Sequence, residues 1–313
     1  MDLIADIGAT NTRCALVNDK GQEIAPQVFE NADFSGLPGL LDVYLKHRRV
    51  SDRPTRAALA IAAPIVGDAV RMVNIDWQFT QRELKELLGV TRLLVVNDFA
   101  AIAWGLPHFG PAELRPIGGG VPAPHATLAT LGPGSGLGVA ALVAGGDPAT
   151  VVAGEGGHAM LAAVTAEEAA VIEIIRANTG QCVLESALSG PGLVNLYVAL
   201  GELAGRGQPT VTPADVTALA KQGEPLARKA QGMFFTFLGT AAADLALTFG
   251  ARGGVYIAGG IVPKILPAFM KSQFRERFEA RGNHRDYVSA IPTYVITAPL
   301  PAFRGLRRLL GYQ

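Results

Sequence analysis

Residues 93–96 (Leu93, Leu94, Val95 and Val96) are four apolar positions in a row, read as a strand buried on both faces of a parallel sheet. The polar pair Asn97-Asp98 ends the strand, and an apolar, Ala-rich run at 99–106 follows with helical spacing. Residues 2–17 read as two β-type runs joined by a tight turn at Gly8, Ala9, Thr10 and Asn11, a hairpin signal. Residues 57–63 predict another buried strand, ended by Pro64. Thr80 then opens a helix, with Phe79 and Leu84 as a hydrophobic staple, Thr80 and Glu83 as a capping box, and Gly89 as the stop. A hairpin followed by strand–helix alternation is the pattern of an α/β domain.

Around 107–124 the pattern dissolves into Gly and Pro with little periodicity, which predicts a domain crossover. Residues 126–143 then repeat the opening theme: strand, a turn of Gly134, Ser135 and Gly136, strand. Thr165 and Glu168 form a capping box for a helix through 175 that stops near Gly180, and Thr212-Pro213-x-Asp215 opens another. Residues 225–249 read as a long core helix ending at Gly250. Residues 255–260 form a strand running into a glycine turn at Gly259 and Gly260, and the tail holds a strand at 293–297 and a short basic helix.

The chain has 313 residues, enough for about two domains. Lys plus Arg and Asp plus Glu number 27 each, so no field favours nucleic acid or an anionic membrane. The charge-free run at 116–146 is too rich in Gly and Pro for a membrane helix, and the acidic N-terminus is not a signal peptide. Cys14 and Cys182 are the only cysteines, which disfavours a disulfide framework or zinc cluster and points to a soluble protein of the reducing cytoplasm.

Polar groups at the carboxyl end of a parallel strand face the crevice where α/β proteins bind ligands, but Asn97 and Asp98 would also serve simply as helix caps. Backbone N–H groups gathered at 8–11 suit phosphate oxygens, and Asp6 beside them suits a hydrated magnesium ion; a plain glycine hairpin on a sheet edge fits equally. Neither a Gly-x-Gly-x-x-Gly fingerprint nor a Gly-Lys dipeptide for a Walker A loop occurs at these turns. Two phosphate-type hairpins suggest a nucleotide clamped between two related halves. In Gly154-Glu-Gly-Gly-His158 the glycines let backbone approach a ligand closely, so Glu155 and His158 are candidates, as is Glu185 further on. The small residues at Gly259 and Gly260 leave room for a flat base, or begin a helix.

Taken together, the chain resembles the bacterial ATP-dependent glucokinase family over nearly its whole length. The matching pieces are Asp6-Ile-Gly-Ala-Thr-Asn-x-Arg13, Ala62-Ala-Pro-Ile-x-Gly-Asp68, Asn74-x-x-Trp77, Val96-Asn-Asp-Phe99, Gly134-Ser-Gly-Leu-Gly138, Gly154-Glu-Gly-Gly-His158, Leu188-Ser-Gly-Pro-Gly192 and Ile257-Ala-Gly-Gly-Ile-Val-Pro263, in the family's order. The resemblance implies a two-domain, ribonuclease H-like or actin-like ATPase fold of the hexokinase–actin–Hsp70 type, with a ligand cleft between a small domain (1–108 plus 298–313) and a large one (109–297). It implies a glucose site of Asn97, Asp98, Glu155, His158 and Glu185, with Asp98 as catalytic base. The hairpins Gly8, Ala9, Thr10, Asn11 and Gly134, Ser135, Gly136 would hold the phosphates of ATP, Asp6 would lie near Mg2+, and Gly259 and Gly260 would border the adenosine. A homodimer is expected.

The related repressor–kinase branch follows an equivalent His with a Cys-rich zinc motif; no cysteine follows Ala159 closely here, so no zinc is expected. One departure stands out: Pro299-Leu-Pro-Ala-Phe-Arg304-Gly305 replaces a glycine- and alanine-rich helix start, which puts close packing against the first hairpin in question. The expected activity is transfer of the γ-phosphoryl of ATP to the 6-hydroxyl of glucose. The alternatives are a kinase for another hexose, or a non-catalytic sugar-sensing protein on the same scaffold. A chaperone-type ATPase would not need Glu155, His158 and Glu185.

Overall fold

The computed structural model describes residues 1–46, 53–146, 149–207 and 210–312. By contact the chain divides into two units, Met1–Gly110 with Ala298–Gln313, and Pro111–Thr297.

The first unit opens with β1 (Asp2–Ile7) and β2 (Asn11–Val17), paired antiparallel from Asp2↔Val17 to Ile7↔Thr12. Then come β3 (Glu23–Glu30), α1 (Leu37–Lys46), β4 (Arg56–Ile61), β5 (Ala69–Arg71), β6 (Gln78–Thr80), α2 (Gln81–Leu88), β7 (Arg92–Asn97) and α3 (Asp98–Gly105). The sheet order is β3-β2-β1-β4-β7, with β1, β4 and β7 parallel. All five residues of β4 from Ala57 on are fully buried, as a central parallel strand requires. The β1–β2 hairpin therefore lies inside the sheet and not on its edge. Conversely β7, expected to be buried on both faces, is the edge strand of this sheet, and its residues are at most half-buried. Leu93 and Val95 face the core; the rest of the apolar run has no strand beyond it. The cap of α2 forms as expected: Thr80 and Glu83 make a reciprocal box, and Gly89 ends the helix at φ 64°.

The second unit contains β8 (Leu114–Ile117), β9 (Leu128–Pro133), β10 (Leu137–Val143), β11 (Thr150–Gly154), α4 (Ala166–Thr179), α5 (Gly190–Leu203), α6 (Pro213–Gln222) and α7 (Pro225–Phe249). It ends with β12 (Gly254–Ile257), the short helices α8 (Leu266–Phe269), α9 (Phe274–Glu279) and α10 (Arg285–Ser289), and β13 (Thr293–Ile296). The order β11-β10-β9-β12-β13-β8 repeats the first sheet: an antiparallel three-strand meander, then parallel neighbours, with β8 added antiparallel at the end. This doubled sheet is that of the ribonuclease H-like, actin-like ATPase fold. α7 is long and apolar enough to span a bilayer, but Phe234, Phe237 and Leu238 are fully buried in the core of the unit. Beside it, Arg277 on α9 reaches the buried Glu168 of α4 at 2.8 Å, and Glu168 also closes the capping box with Thr165.

The chain then returns to the first unit as α11 (Pro301–Leu309). α11 packs against β1 of the first hairpin and along α3, and it keeps a glycine where the two helices cross. A Cβ at Gly305 would stand 1.7 Å from the Ala101 carbonyl oxygen, and the Gly105 N–H is 3.1 Å away. Phe303 and Leu306 fill the space beside the crossing. Tyr312 then donates to Asp2 at 2.6 Å, and Arg56 pairs with the same carboxylate.

Gly305→Ala should lower unfolding stability by at least about 2 kcal/mol, the scale of overpacking against unyielding backbone. Urea unfolding of the variant checks this; an unchanged midpoint would mean that the crossing is looser than the structure has it.

Candidate active site

Three parallel strands end level with one another in the first unit: Ile7 is in register with Ile61, and Ile61 with Asn97. That edge gathers the β1–β2 turn, Ala63 and the pair Asn97-Asp98, in the position where open α/β sheets bind ligands. The cap reading of Asn97 is correct. Its Oδ1 accepts from the N–H groups of Phe99 (2.9 Å) and Ala100 (3.1 Å), and its Nδ2 donates to the Ala63 carbonyl (3.4 Å). Asp98 is the first residue of α3, half-buried, with Oδ1 2.9 Å from the Phe99 N–H. A carboxylate there is also favoured by the helix dipole.

Asp6 lies on β1, two residues before Gly8, with its side chain 19% exposed. Burial pushes its carboxyl up to about 6, against the pull of the Arg13 guanidinium 3.9 Å away. In the turn, Gly8 N–H donates to the Asn11 carbonyl at 3.0 Å, Thr10 is exposed, and Gly8 and Ala9 are half-buried. Sequence reasoning missed the residue under this turn. Asn31, buried in the 3-10 turn after β3, contacts the carbonyls of Gly8 and Ala9 with its side-chain amide. No local pattern marks it, since its partners lie on the far side of a strand.

An equivalent edge exists in the second unit, where Leu131 is in register with Ile257. The turn between β9 and β10 exposes Ser135, and the Gly134 carbonyl accepts from the Gly190 N–H at the start of α5 (2.8 Å). Glu185, half-buried on a 3-10 turn before α5, accepts from the Leu137 N–H at 2.7 Å through Oε2. A Cβ at Gly136 would stand 2.3 Å from that oxygen, so the glycine makes room for the carboxylate. His158 ends the 3-10 turn Gly156–His158, and the next residue, Ala159, accepts from the Leu184 N–H at 2.8 Å, so this segment lies beside that of Glu185. Glu155 and His158 are both exposed.

Of the two glycines after β12, Gly259 serves the sheet. It sits at φ 80°, and a Cβ would meet the Pro133 carbonyl oxygen at 2.4 Å. Gly260 has open space around its Cα. The segment is neither bare strand nor a long helix; a 3-10 turn, Val262–Ile265, follows it.

Asp6 and the phosphate-type turns therefore divide over two similar sheets, as do the carboxylates and amides suited to a polyol. An open groove lined by Pro64, Val66, Arg71, Asn74 and Asp76 holds none of the expected site residues. Among the described residues no cluster of three His, Cys, Asp or Glu could hold a metal ion. Both cysteines are buried, and burial pushes the Cys182 thiol up to about 11. A single carboxylate such as Asp6 fits magnesium carried by nucleotide phosphates, which needs only one or two protein ligands.

The family model described as Glucokinase matches residues 3–312. The chain belongs to the glucokinase family. Glucokinase of Paramagnetospirillum magneticum is 43% identical, over 99% of this chain and 97% of its own. The crystal structure of glucokinase from an Antarctic psychrotroph superposes with a TM-score of 0.87 at 34% identity, covering 98% of both chains. A ROK family glucokinase from Streptomyces griseus, solved in complex with glucose and AMPPNP, shares the fold at a TM-score of 0.66 and 18% identity, with 98% of each chain covered. Glucokinase membership makes the chain an ATP-dependent hexose kinase.

The raised Asp6 carboxyl has a sign that can be tested. Its folded form holds a proton over the range from 3.8 to about 6 where the unfolded form does not. Its stabilising contribution is complete below 3.8 and is lost as pH rises through about 6. Asp6→Asn should therefore melt at least about 2 °C above the wild type near pH 7.5, and the difference should shrink towards pH 4. Melting scans at the two pH values read this directly; a gap independent of pH would contradict it.

Proposed function

We propose that this chain transfers the γ-phosphoryl group of ATP to the 6-hydroxyl of glucose, giving glucose 6-phosphate and ADP, with Asp98 as the general base. The observation that carries the reading is the division of labour at the end of β7. Asn97 supplies the cap of α3 through its Oδ1, so the cap does not depend on Asp98, whose carboxylate stands at the strand end where open α/β sheets bind ligands. In the proposed reaction Asp98 takes the proton of the sugar 6-hydroxyl as that oxygen bonds to the γ-phosphorus. The bond from phosphorus to the β–γ bridging oxygen breaks, and ADP leaves.

The other residues position and stabilise. Sugar hydroxyls are neutral donors and carboxylates strong acceptors, so Glu155, Glu185 and Asp98 suit a polyol, as do the amide of Asn97 and the imidazole of His158. Because Glu185 gives Oε2 to the Leu137 N–H, its Oε1 is the oxygen for the sugar. The turns at Gly8, Ala9, Thr10 and Asn11 and at Gly134, Ser135 and Gly136 direct N–H groups and hydroxyls to the phosphates. Gly260 borders the adenosine, and Gly259 shapes the turn that presents it. Asp6 would hold magnesium bound to the nucleotide, which there neutralises charge developing on the transferred group. The sugar covers Glu155 and His158 on binding, and the exclusion of water that follows protects ATP from hydrolysis.

Asp98→Asn should lose at least about 100-fold in turnover at saturating glucose and ATP, the lower figure for general-base catalysis. Its melting temperature should hardly move, because Asn97 still caps the helix. A coupled ADP-release assay over a panel of hexoses, run on wild type and variant, tests base and substrate together. More than about a tenth of turnover kept by the variant sinks the base; preference for another hexose in the wild type sinks the assignment to glucose.

Glu155→Gln and Glu185→Gln should each weaken glucose binding by about 1.5–3 kcal/mol, as for hydrogen bonds to charged groups, and ATP binding much less. Unchanged glucose affinity by calorimetry in both would remove them from the site.

A further inference from the structure

We infer that Asn31 is a positioning residue for nucleotide binding: it holds the carbonyls of the β1–β2 turn on one side, so that the turn's N–H groups face the phosphates on the other. The inference rests on the proposed phosphoryl transfer and deepens it. Asn31 is 1% exposed and lies beyond β3, outside every stretch that the family resemblance uses. Its Nδ2 donates to the Gly8 carbonyl at 2.8 Å and the Ala9 carbonyl at 3.2 Å. Its own N–H donates to the Thr10 carbonyl at 2.9 Å. Three consecutive carbonyls are thus drawn toward one residue.

The consequence follows from peptide geometry. In a planar trans peptide the carbonyl oxygen of one residue and the N–H of the next point in opposite directions. With the carbonyls of Gly8, Ala9 and Thr10 turned in to Asn31, the N–H groups of Ala9, Thr10 and Asn11 turn out, on the side where Thr10 is exposed. Successive outward N–H groups form a concavity for an anion. Left to itself, a turn rich in small residues would sample many peptide orientations; a buried amide selects one.

The amide is itself oriented. Thr12 Oγ1 donates to Asn31 Oδ1 at 2.8 Å, which fixes that atom as the acceptor and the other as the double donor. Thr12 is fully buried on β2, so the relay runs from the sheet interior through Asn31 to the turn. A role confined to holding the hairpin together would make the same bonds, and it predicts a loss of stability with both ligands affected alike. Positioning predicts a split between them.

The test compares Asn31→Ala, Asn31→Asp and Thr12→Val with the wild type, reading KM for ATP, kcat, glucose affinity by calorimetry and melting temperature. Asn31→Asp keeps the shape but sets an acceptor oxygen against the turn carbonyls. Thr12→Val keeps Asn31 and frees its amide to rotate. The expected result is a rise in KM for ATP of at least about tenfold in the Asn31 variants, the scale of one buried group left unpaired, and a smaller rise in Thr12→Val. Glucose affinity should stay within about twofold of wild type in all three, since no sugar residue is touched. An unchanged KM for ATP in the folded variants overturns the inference, and so does an equal loss for ATP and glucose. If the Asn31 variants do not fold, Thr12→Val decides by the same two readouts. Wild-type protein without hexose-dependent ADP release would sink the reading of the site, and this inference with it; active wild type with Asn31 variants of normal KM sinks this inference alone.

Discussion

The packing of the last helix on the helix that begins with Asp98 is the constraint on which the strand-end edge of the first unit depends. At the crossing, hydrogen is the only substituent that fits, because the Ala101 carbonyl occupies the place of a side chain at Gly305. Ala101 is one turn from Asp98, so a displacement of α3 at the crossing is transmitted to the carboxylate by a rigid element. Phosphoryl transfer is sensitive to displacements of this size, since most of what the protein supplies is position. Phe303 and Leu306, on either side of Gly305 in the chain, are both buried. What the crossing requires is a gap of atomic dimensions, and one glycine supplies it.

The two sheets reach the same end by different fastenings. Each puts a tight turn and an exposed hydroxyl, Thr10 or Ser135, at the end of its first strand pair. In the first sheet a side-chain amide holds the turn from beneath. In the second, the Gly190 N–H takes the Gly134 carbonyl and the Glu185 carboxylate takes the Leu137 N–H. Glu185 thus fastens the β9–β10 turn from outside it, as Asn31 fastens the β1–β2 turn.

Local features were legible in the sequence because their causes are local. The capping boxes Thr80/Glu83, Thr165/Glu168 and Thr212/Asp215 all form, and the helix from Pro225 ends at Gly250 as its composition implies. The turns at Gly8 and Gly134 were read from the interruption of two β-type runs, and both lie where the runs place them. Features that depend on distant partners were not legible. The apolar run 93–96 has the composition of a central strand, but its burial is decided by whether another strand lies beyond it, and none does in this sheet. Asn31 carries no motif because its partners are more than twenty positions away. Gly259 could be read as room for a base or as a helix start, while its cause is the Pro133 carbonyl of the neighbouring strand.

The route of the chain has a consequence for its biosynthesis. Pro111–Thr297 is continuous, whereas the unit that carries Asp98 is built from both ends of the chain. Until α11 leaves the ribosome, the face of α3 at Ala101 and Gly105 has no partner, so the half made first is finished last. The setting of α3, which begins at Asp98, is thus completed by a segment that the ribosome adds after the whole of the second unit.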